Sequence, residues 1–396
     1  MLADRRTRAV HRSAVSRGLV LGVALVATST TAAWNDAAAQ PRPRAKQRVT
    51  AAPLKSPIRV CAGGDVTLGT NLDTVWARAA ADTLRRVYSL MPDPDSLAPA
   101  LRPLFAGADV AILNIEGAIG DGPAPQKCGA QSTSCFAFRQ PPTAAFALRR
   151  AVDSATILIG NVANNHSRDA GDAGRAATVD SLESAGMFVT GADTLPTVVP
   201  LPSGDTIAVL GFHTDTAAPD ARKLRAVRRH VRRAADQYRT VIVTMHLGAE
   251  GPKAQRTVDT DELFLNMKRG NPVAFANAAF AGGATLVVGH GPHVLRAAEW
   301  HGDRLVFYSL GNLLTYGPFR LRPPTDRAAV ACATITAPRH VSDAELRPTM
   351  QRWPGVLIAD STNRAWKLVD SLSRLDFPRT GATVDRNGAL KKRKRP

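Results

Sequence analysis

Aromatic residues make up only 5% of the 396-residue chain, and no basic stretch carries them interleaved with Arg or Lys. Stacked bases and a phosphate backbone are held by that combination, so its absence argues against specific nucleic-acid recognition. Long apolar runs are also missing. Beyond the first forty residues nothing approaches the length needed to cross a bilayer. There are only four cysteines, Cys61, Cys128, Cys135 and Cys332, and none shows zinc-finger spacing. A chain this long can build its core without disulfides or metals. Internal repeats are not evident. Acidic residues are outnumbered, 33 against 51 Lys and Arg. That balance attracts anionic polymers without choosing among them. Much of the excess lies in Arg222 to Arg233 and Lys391 to Arg395, which read as a solvated helix face and a disordered end.

What is present begins with a targeting pattern. Arg5, Arg6, Arg8, Arg12 and Arg17 form a basic region, Gly18 to Ala27 is a short apolar run, and Ala37-Ala38-Ala39 is a cleavage-type tripeptide. Residues 1–39 therefore read as a secretory signal peptide, with a retained membrane anchor as the alternative. Five Arg and two Asp precede residue 40, so the remainder keeps 46 basic against 31 acidic residues, a formal charge of +15. Cysteines in an exported chain are expected to pair. Cys128 and Cys135 bracket a short polar loop and suit a local bridge, whereas Cys61 and Cys332 can pair only if their strands are adjacent. A Pro-rich, charged linker covers 40–56.

From residue 57 short apolar runs alternate with amphipathic ones. Strands are predicted at 58–63, 110–115, 156–159, 207–212, 241–246, 285–288, 304–309 and 328–335, and helices near 72–90, 142–152, 172–185, 221–238, 272–281 and 363–375. This alternation predicts an α/β fold with helices packed outside its sheets. The main domain is placed at 57–337, followed by a C-terminal extension with one helix over 338–376 and a disordered basic tail over 377–396.

The chemistry is expected where polar residues follow apolar strands at once: Asp65, then Asn114 and Glu116, then Asn165 and His166, then His246, then His290 and His293. Strand ends of one α/β sheet converge, so these can share a cleft. Carboxylates, an amide and imidazoles make an oxygen and nitrogen set suited to Zn, Mn or Fe. Asp65, Glu116, Asn165, His246, His290 and His293 exceed the needs of one tetrahedral site and would serve two divalent ions sharing a carboxylate. Taken singly each has an ordinary reading. Asp65 could cap a helix, His246 could be a satisfied core histidine, and Asn164 and Asn165 could be turn residues.

The ordered motifs GGDVTLG (63–69), Asn114-x-Glu116, ANNHSRDAG (163–171), HLGAE (246–250), GHGPHV (289–294) and YSLGN (308–312) resemble those of the poly-γ-glutamate capsule biosynthesis (CapA) family, within the calcineurin-like metallophosphoesterase superfamily. The resemblance covers roughly 58–316. It implies a sandwich of two mixed β-sheets flanked by helices, α/β/β/α. It also implies that Asp65 binds one metal, that Asn165 and His246 bind a second with Glu116 between them, and that His290 and His293 divide between the two. His166 would act as general acid or electrophile with Asp169 orienting it, and Asn114, Glu250, Ser309 and Asn312 would support. The chain departs from the pattern at two points: Asp65 lacks the superfamily's following histidine, and Gly291 stands where GHHP would supply a further imidazole.

Two functions follow. One is an exported, metal-dependent phosphoester hydrolase of the cell envelope, with an amide reaction on polyglutamate ranked lower. The other is a non-catalytic subunit that binds an anionic envelope polymer within a membrane capsule-synthesis complex.

Overall fold

From Val60 to Gly64 the strand Ile58–Thr67 carries no polar side chain on either face, the pattern of a strand covered on both sides, and it lies in the middle of the larger sheet. The structure, a computed structural model, describes residues 53–69, 74–121, 127–128, 135–214 and 219–393. The expected signal peptide and nearly all of the expected linker lie outside the described residues.

Eight strands form this sheet, in the order Val356–Ala359, His340–Arg352, Arg327–Ala337, Ile58–Thr67, Val110–Ile115, Ile157–Asn161, Phe188–Thr190, with Asn312–Thr315 pairing beside the end of Ile58–Thr67. A second sheet of six runs Ala298–His301, Arg304–Phe307, Leu286–His290, Thr240–His246, Thr206–His213, Thr197–Pro200. In each the central strands are parallel and antiparallel strands close an edge.

Alternation along the strands sorts side chains into layers. Ile58, Val60, Ala62, Val110 and Ile112 meet Ile207, Val209, Ile242, Val288 and Phe307 between the sheets. On the outer face of the larger sheet Cys61, Ala111, Leu113 and Leu158 pack on helices Thr74–Thr83, Thr143–Arg150 and Gly171–Ser184. Outside the smaller sheet Ala208, Leu210, Phe212, Val241 and Val243 pack on Leu224–Ala235, Pro272–Gly282 and Arg364–Asp376. The layers are therefore helix, sheet, sheet, helix, as expected of a metallophosphoesterase-like α/β fold. Among the described residues no helix is long and apolar enough to cross a membrane.

Cys61 and Cys332 face each other on adjacent antiparallel strands and are disulfide-bonded, as are Cys128 and Cys135.

Two expected boundaries differ. Residues 338–376 are no appendage. His340–Arg352 pairs with Arg327–Ala337 along almost its whole length, and Val341, Ala344 and Leu346 enter the core between the sheets. Their rhythm is broken by a register shift between Val341 and Ala344 and masked by the charges of Asp343, Glu345 and Arg347 that lie among them. The tail expected to be disordered is ordered to residue 393. Thr383–Val384 pairs with Leu390–Lys391, Ala382 and Leu390 are buried in the same core, and the Leu346 amide donates to Gly388 O at 2.8 Å. Charge count misleads here because a few spaced apolar residues suffice to anchor a segment to an open core edge.

Candidate metal centre

Parallel pairing puts equivalent strand ends in line. Asp65, Asn114 and Asn161 are register partners across the larger sheet, and His213, His246 and His290 across the smaller. The two rows meet in the interior. Asn114 Nδ2 donates to Asp65 Oδ1 at 2.8 Å and lies 3.4 Å from His246 Nδ1, while Thr244 Oγ1 donates to Asn161 Oδ1 at 3.0 Å. Asn161 Nδ2 and Asn164 Nδ2 both donate to Asn114 Oδ1, so Asn114 is fixed from both sheets. Such close approach needs small residues. A Cβ on Gly64 would fall 2.0 Å from Gly311 O. Gly291 adopts φ +106° with the His246 ring 3.0 Å from where its Cβ would stand, so the position that lacks an imidazole is one that favours glycine.

Asp65, Glu116 and His293 form a group that could hold a metal ion, their ligand atoms lying within 4.8 Å of one another. Glu116 Oε1 is 3.6 Å from His293 Nε2, 3.9 Å from His166 Nε2 and 4.0 Å from His246 Nε2. Asp65 Oδ1 is 3.8 Å from His290 Nδ1, and Asp65 Oδ2 is 3.1 Å from His293 Nδ1. Two atoms that each contact one ion at about 2.1 Å must lie roughly 3 to 4 Å apart, so these spacings suit shared cations. The donor atoms are also unsatisfied. Both Glu116 oxygens, Asn165 Oδ1, His246 Nε2 and both His290 nitrogens are buried without a well-formed hydrogen bond, and among the described residues Asp65 Oδ2 has only the His293 ring within reach. Such atoms carry a desolvation cost unless something pairs with them.

Electrostatics point the same way. Burial, reinforced by the charge of Asp65, pushes the Glu116 carboxyl well above its ordinary value. For Asp65 burial acts upward, but the hydrogen bond and charge of His293 outweigh it and the value falls. Burial opposes the charged form of His293, yet Glu116 and Asp65 raise it to about 10. Burial lowers His290 to about 4, and burial with the nearby Arg269 holds His246 well down. His293 thus supplies positive charge beside the two carboxyls, and the other two imidazoles keep lone pairs available.

Beside this cluster His166 Nδ1 lies 2.7 Å from Asp169 Oδ2, and the same carboxylate accepts from the Phe138 amide at 2.6 Å and pairs with Lys127 at 2.6 Å. Burial outweighs Asp169 and lowers His166, leaving a neutral ring whose Nδ1–H is held and whose Nε2 faces Glu116. Asn164 serves as a turn residue, accepting from the His166 amide at 3.0 Å. Asn165 is next in sequence to His166, and its backbone oxygen accepts from Lys127 at 3.1 Å. Glu250 is paired with buried Arg269 at 2.7 Å and stands 3.8 Å from His293 Nε2. Asn312 Oδ1 lies 3.0 Å from His293 Nδ1, and Ser309 accepts from the Gly311 amide through its hydroxyl at 3.4 Å. Neither Asp65 nor His246 has its ordinary alternative: Asp65 ends a strand and caps no helix, and His246 Nε2 is unsatisfied.

Sequence reasoning missed Asn161, Lys127, Arg269, Phe138 and Phe319. Only Asn161 carried a signal, lying in the polar run after its strand. A pocket of about 510 Å³ opens from His166, His293, Glu250 and Asn312 between Phe138 and Phe319.

Residues 59–316 match the family described as Bacterial capsule synthesis protein PGA_cap. The chain belongs to this capsule synthesis family. Similar proteins include the capsule biosynthesis protein CapA of Bacillus anthracis, 28% identical over 185 residues, or 42% of each chain. Two uncharacterized proteins of Sinorhizobium fredii, y4sH and y4uA, are each 34% identical over 97 residues, covering 24% of this chain and 19% of theirs. This family member thus aligns with less than half the length of the curated relatives it matches.

Proposed function

We propose that this family member is a metal-dependent phosphoester hydrolase acting at the cell envelope in capsule-polymer synthesis. The observation that carries the reading is the set of buried, unsatisfied oxygen and nitrogen atoms on Asp65, Glu116, His246 and His290, gathered beside His166 and His293, which line an open pocket. Asp65 and His290 would hold one divalent ion, Asn165 and His246 a second, with Glu116 between them and His293 completing the set. When bound, such ions supply Lewis acidity that neutralises charge on a phosphoryl oxygen. His166 holds or moves a proton at Nε2, and Asp169 fixes the ring by accepting from Nδ1–H. Phe138 and Phe319 limit water at the pocket wall. Two disulfides fit an exported chain in an oxidising compartment.

The test is metal analysis of the purified chain with hydrolysis of bis-para-nitrophenyl phosphate on added Mn. Asp65→Ala and His246→Ala should lose both bound metal and turnover. Wild-type protein with negligible metal and no hydrolysis under any divalent ion overturns the reading.

A second reading, polyanion binding without turnover, is favoured by one surface. Arg225, Arg228, Arg229, Arg232 and Arg233 form an exposed row on Leu224–Ala235, whose other face, Val227, Val231 and Ala234, is buried. Retention of polyglutamate that survives both substitutions above and falls with salt would favour it over hydrolysis.

A further inference from the structure

The pocket above the candidate metal centre is walled mainly by aromatic and proline side chains. Phe138 lies with its ring centroid 4.5 Å from that of His166, and it is stacked between Phe319 at 5.0 Å and Phe136 at 6.4 Å. Phe319 stands edge-on to His293 at 5.7 Å. Phe264, Pro252 and Pro318 extend the wall, and Arg320 is the arginine among its described residues. A strongly anionic polymer would gain little from such a lining, whereas an apolar chain or ring would gain from every contact.

The apolar character continues outward. Phe264 belongs to the hairpin Glu262–Phe264 and Met267–Gly270, and its cross-strand partner is Met267. Leu263, Leu265 and Met267 are 60%, 59% and 53% exposed. The two-residue turn is Leu265-Asn266, both left-handed, at φ 48° and 63°. Asn or Gly suits such a position, and a leucine there is held against its backbone preference at the exposed turn of the hairpin. Lys268 is exposed beside it. The base is rigid. Arg296 binds Glu262 through two hydrogen bonds of 2.7 Å, and Arg269 binds Glu250. A fixed base with an apolar, lysine-flanked tip is suited to seating in the headgroup region of a lipid surface.

We infer that the hairpin around Leu265 docks on a lipid surface and that the aromatic pocket takes an amphiphilic phosphoester, its phosphoryl head toward Glu116 and its apolar tail along Phe138, Phe319 and Phe264. The substrate half rests on the hydrolase reading above, and the docking half does not.

The full chain is tested for co-sedimentation with phosphatidylcholine vesicles, where net charge gives no attraction. The wild type should be retained, also in high salt, and Leu263→Ser/Leu265→Ser/Met267→Ser should weaken retention about tenfold or more, the worth of two buried methylenes. Its melting temperature should be unchanged, because these side chains are exposed. Absent wild-type retention, or equal retention of the variant, overturns docking. So does self-association by light scattering that the triple substitution abolishes, which assigns the tip to a second copy of the chain.

The second arm compares Mn-dependent hydrolysis of decyl phosphate and methyl phosphate. The decyl ester should show a KM about tenfold lower, and Phe264→Ala should narrow the gap by raising that KM with kcat little changed. Equal KM values overturn the amphiphile assignment and leave the hydrolase reading standing. If neither ester is hydrolysed, the hydrolase reading and the substrate half fall together, while vesicle retention still decides docking.

Discussion

A site shaped for cations should be a burden on the metal-free protein, and Glu116→Gln measures this directly. Glu116 is fully buried, neither oxygen has a well-formed hydrogen bond, and Asp65 adds a second negative charge nearby. An unsatisfied buried polar group costs about 1–3 kcal/mol, more when charged. Gln keeps the shape and cannot ionise, so it never carries the buried charge that burial and Asp65 disfavour at Glu116. Asp65 Oδ2 still stands 3.1 Å from His293 Nδ1, so no cation is left without a partner. The metal-free variant should therefore be more stable by roughly 1–3 kcal/mol, or about 1–4 °C in Tm at this chain size. Metal acts oppositely. With Mn at a hundred times its Kd the wild type should gain about 2.7 kcal/mol, and the variant should lose most of that gain. Differential scanning fluorimetry with chelator and with Mn gives both numbers. A variant that melts lower than wild type in chelator, or that responds to Mn as wild type does, refutes the argument that Glu116 is held for a cation.

Other expectations concern the frame around the site. Arg296→Met leaves Glu262 buried and unpaired and should cost about 3–5 kcal/mol in urea unfolding, much of it recovered in Arg296→Met/Glu262→Leu. Cys61→Ala/Cys332→Ala opens a cross-link between residues 271 apart and should lose about 2–5 kcal/mol, whereas Cys128→Ala/Cys135→Ala, with a separation of 7, should lose less. Asp360 carries a pH signature. Burial acts to raise its carboxyl, but the amides of Ala365 and Thr362 and the Thr362 hydroxyl outweigh this and lower it. A lowered folded value stabilises above the unfolded value near ~4 and is lost as pH falls through the folded one. Asp360→Ala should thus cost about 1 kcal/mol at neutral pH, with the gap to wild type closing on acidification below pH ~4 in a Tm series.

How far these features could be read beforehand depended on the range of the interactions that make them. Parallel strands buried on both faces are near-continuous apolar runs, so Val110–Ile115 and Thr240–His246 were legible almost to the residue. The polar residues ending them stood out for the same reason. Contacts between segments far apart in sequence left no such trace. Lys127 reaches Asp169 across 42 residues, and Arg296 reaches Glu262 across 34. The strand His340–Arg352 hid its apolar side among charges, and the tail hid Ala382 and Leu390 in the same way.

The spacing of the last two imidazoles shows what a pattern can and cannot carry. His290 and His293 are three residues apart, one longer than the two-residue spacing that would keep both rings on one face of a regular extended chain. His293 instead takes φ 58° after Gly291 at φ 106°. That pair of left-handed residues folds the ring back until Nδ1 is 3.1 Å from Asp65 Oδ2 and 3.0 Å from Asn312 Oδ1. A non-glycine residue in that region is strained, and the strain persists only where surrounding contacts fix it. Asn312 supplies that fixation through its side-chain amide, which also donates to Thr325 O at 3.1 Å. The longer spacing and the asparagine of YSLGN therefore belong to one device: the loop overshoots by a residue, and Asn312 helps hold the overshoot where the second imidazole faces both carboxylates.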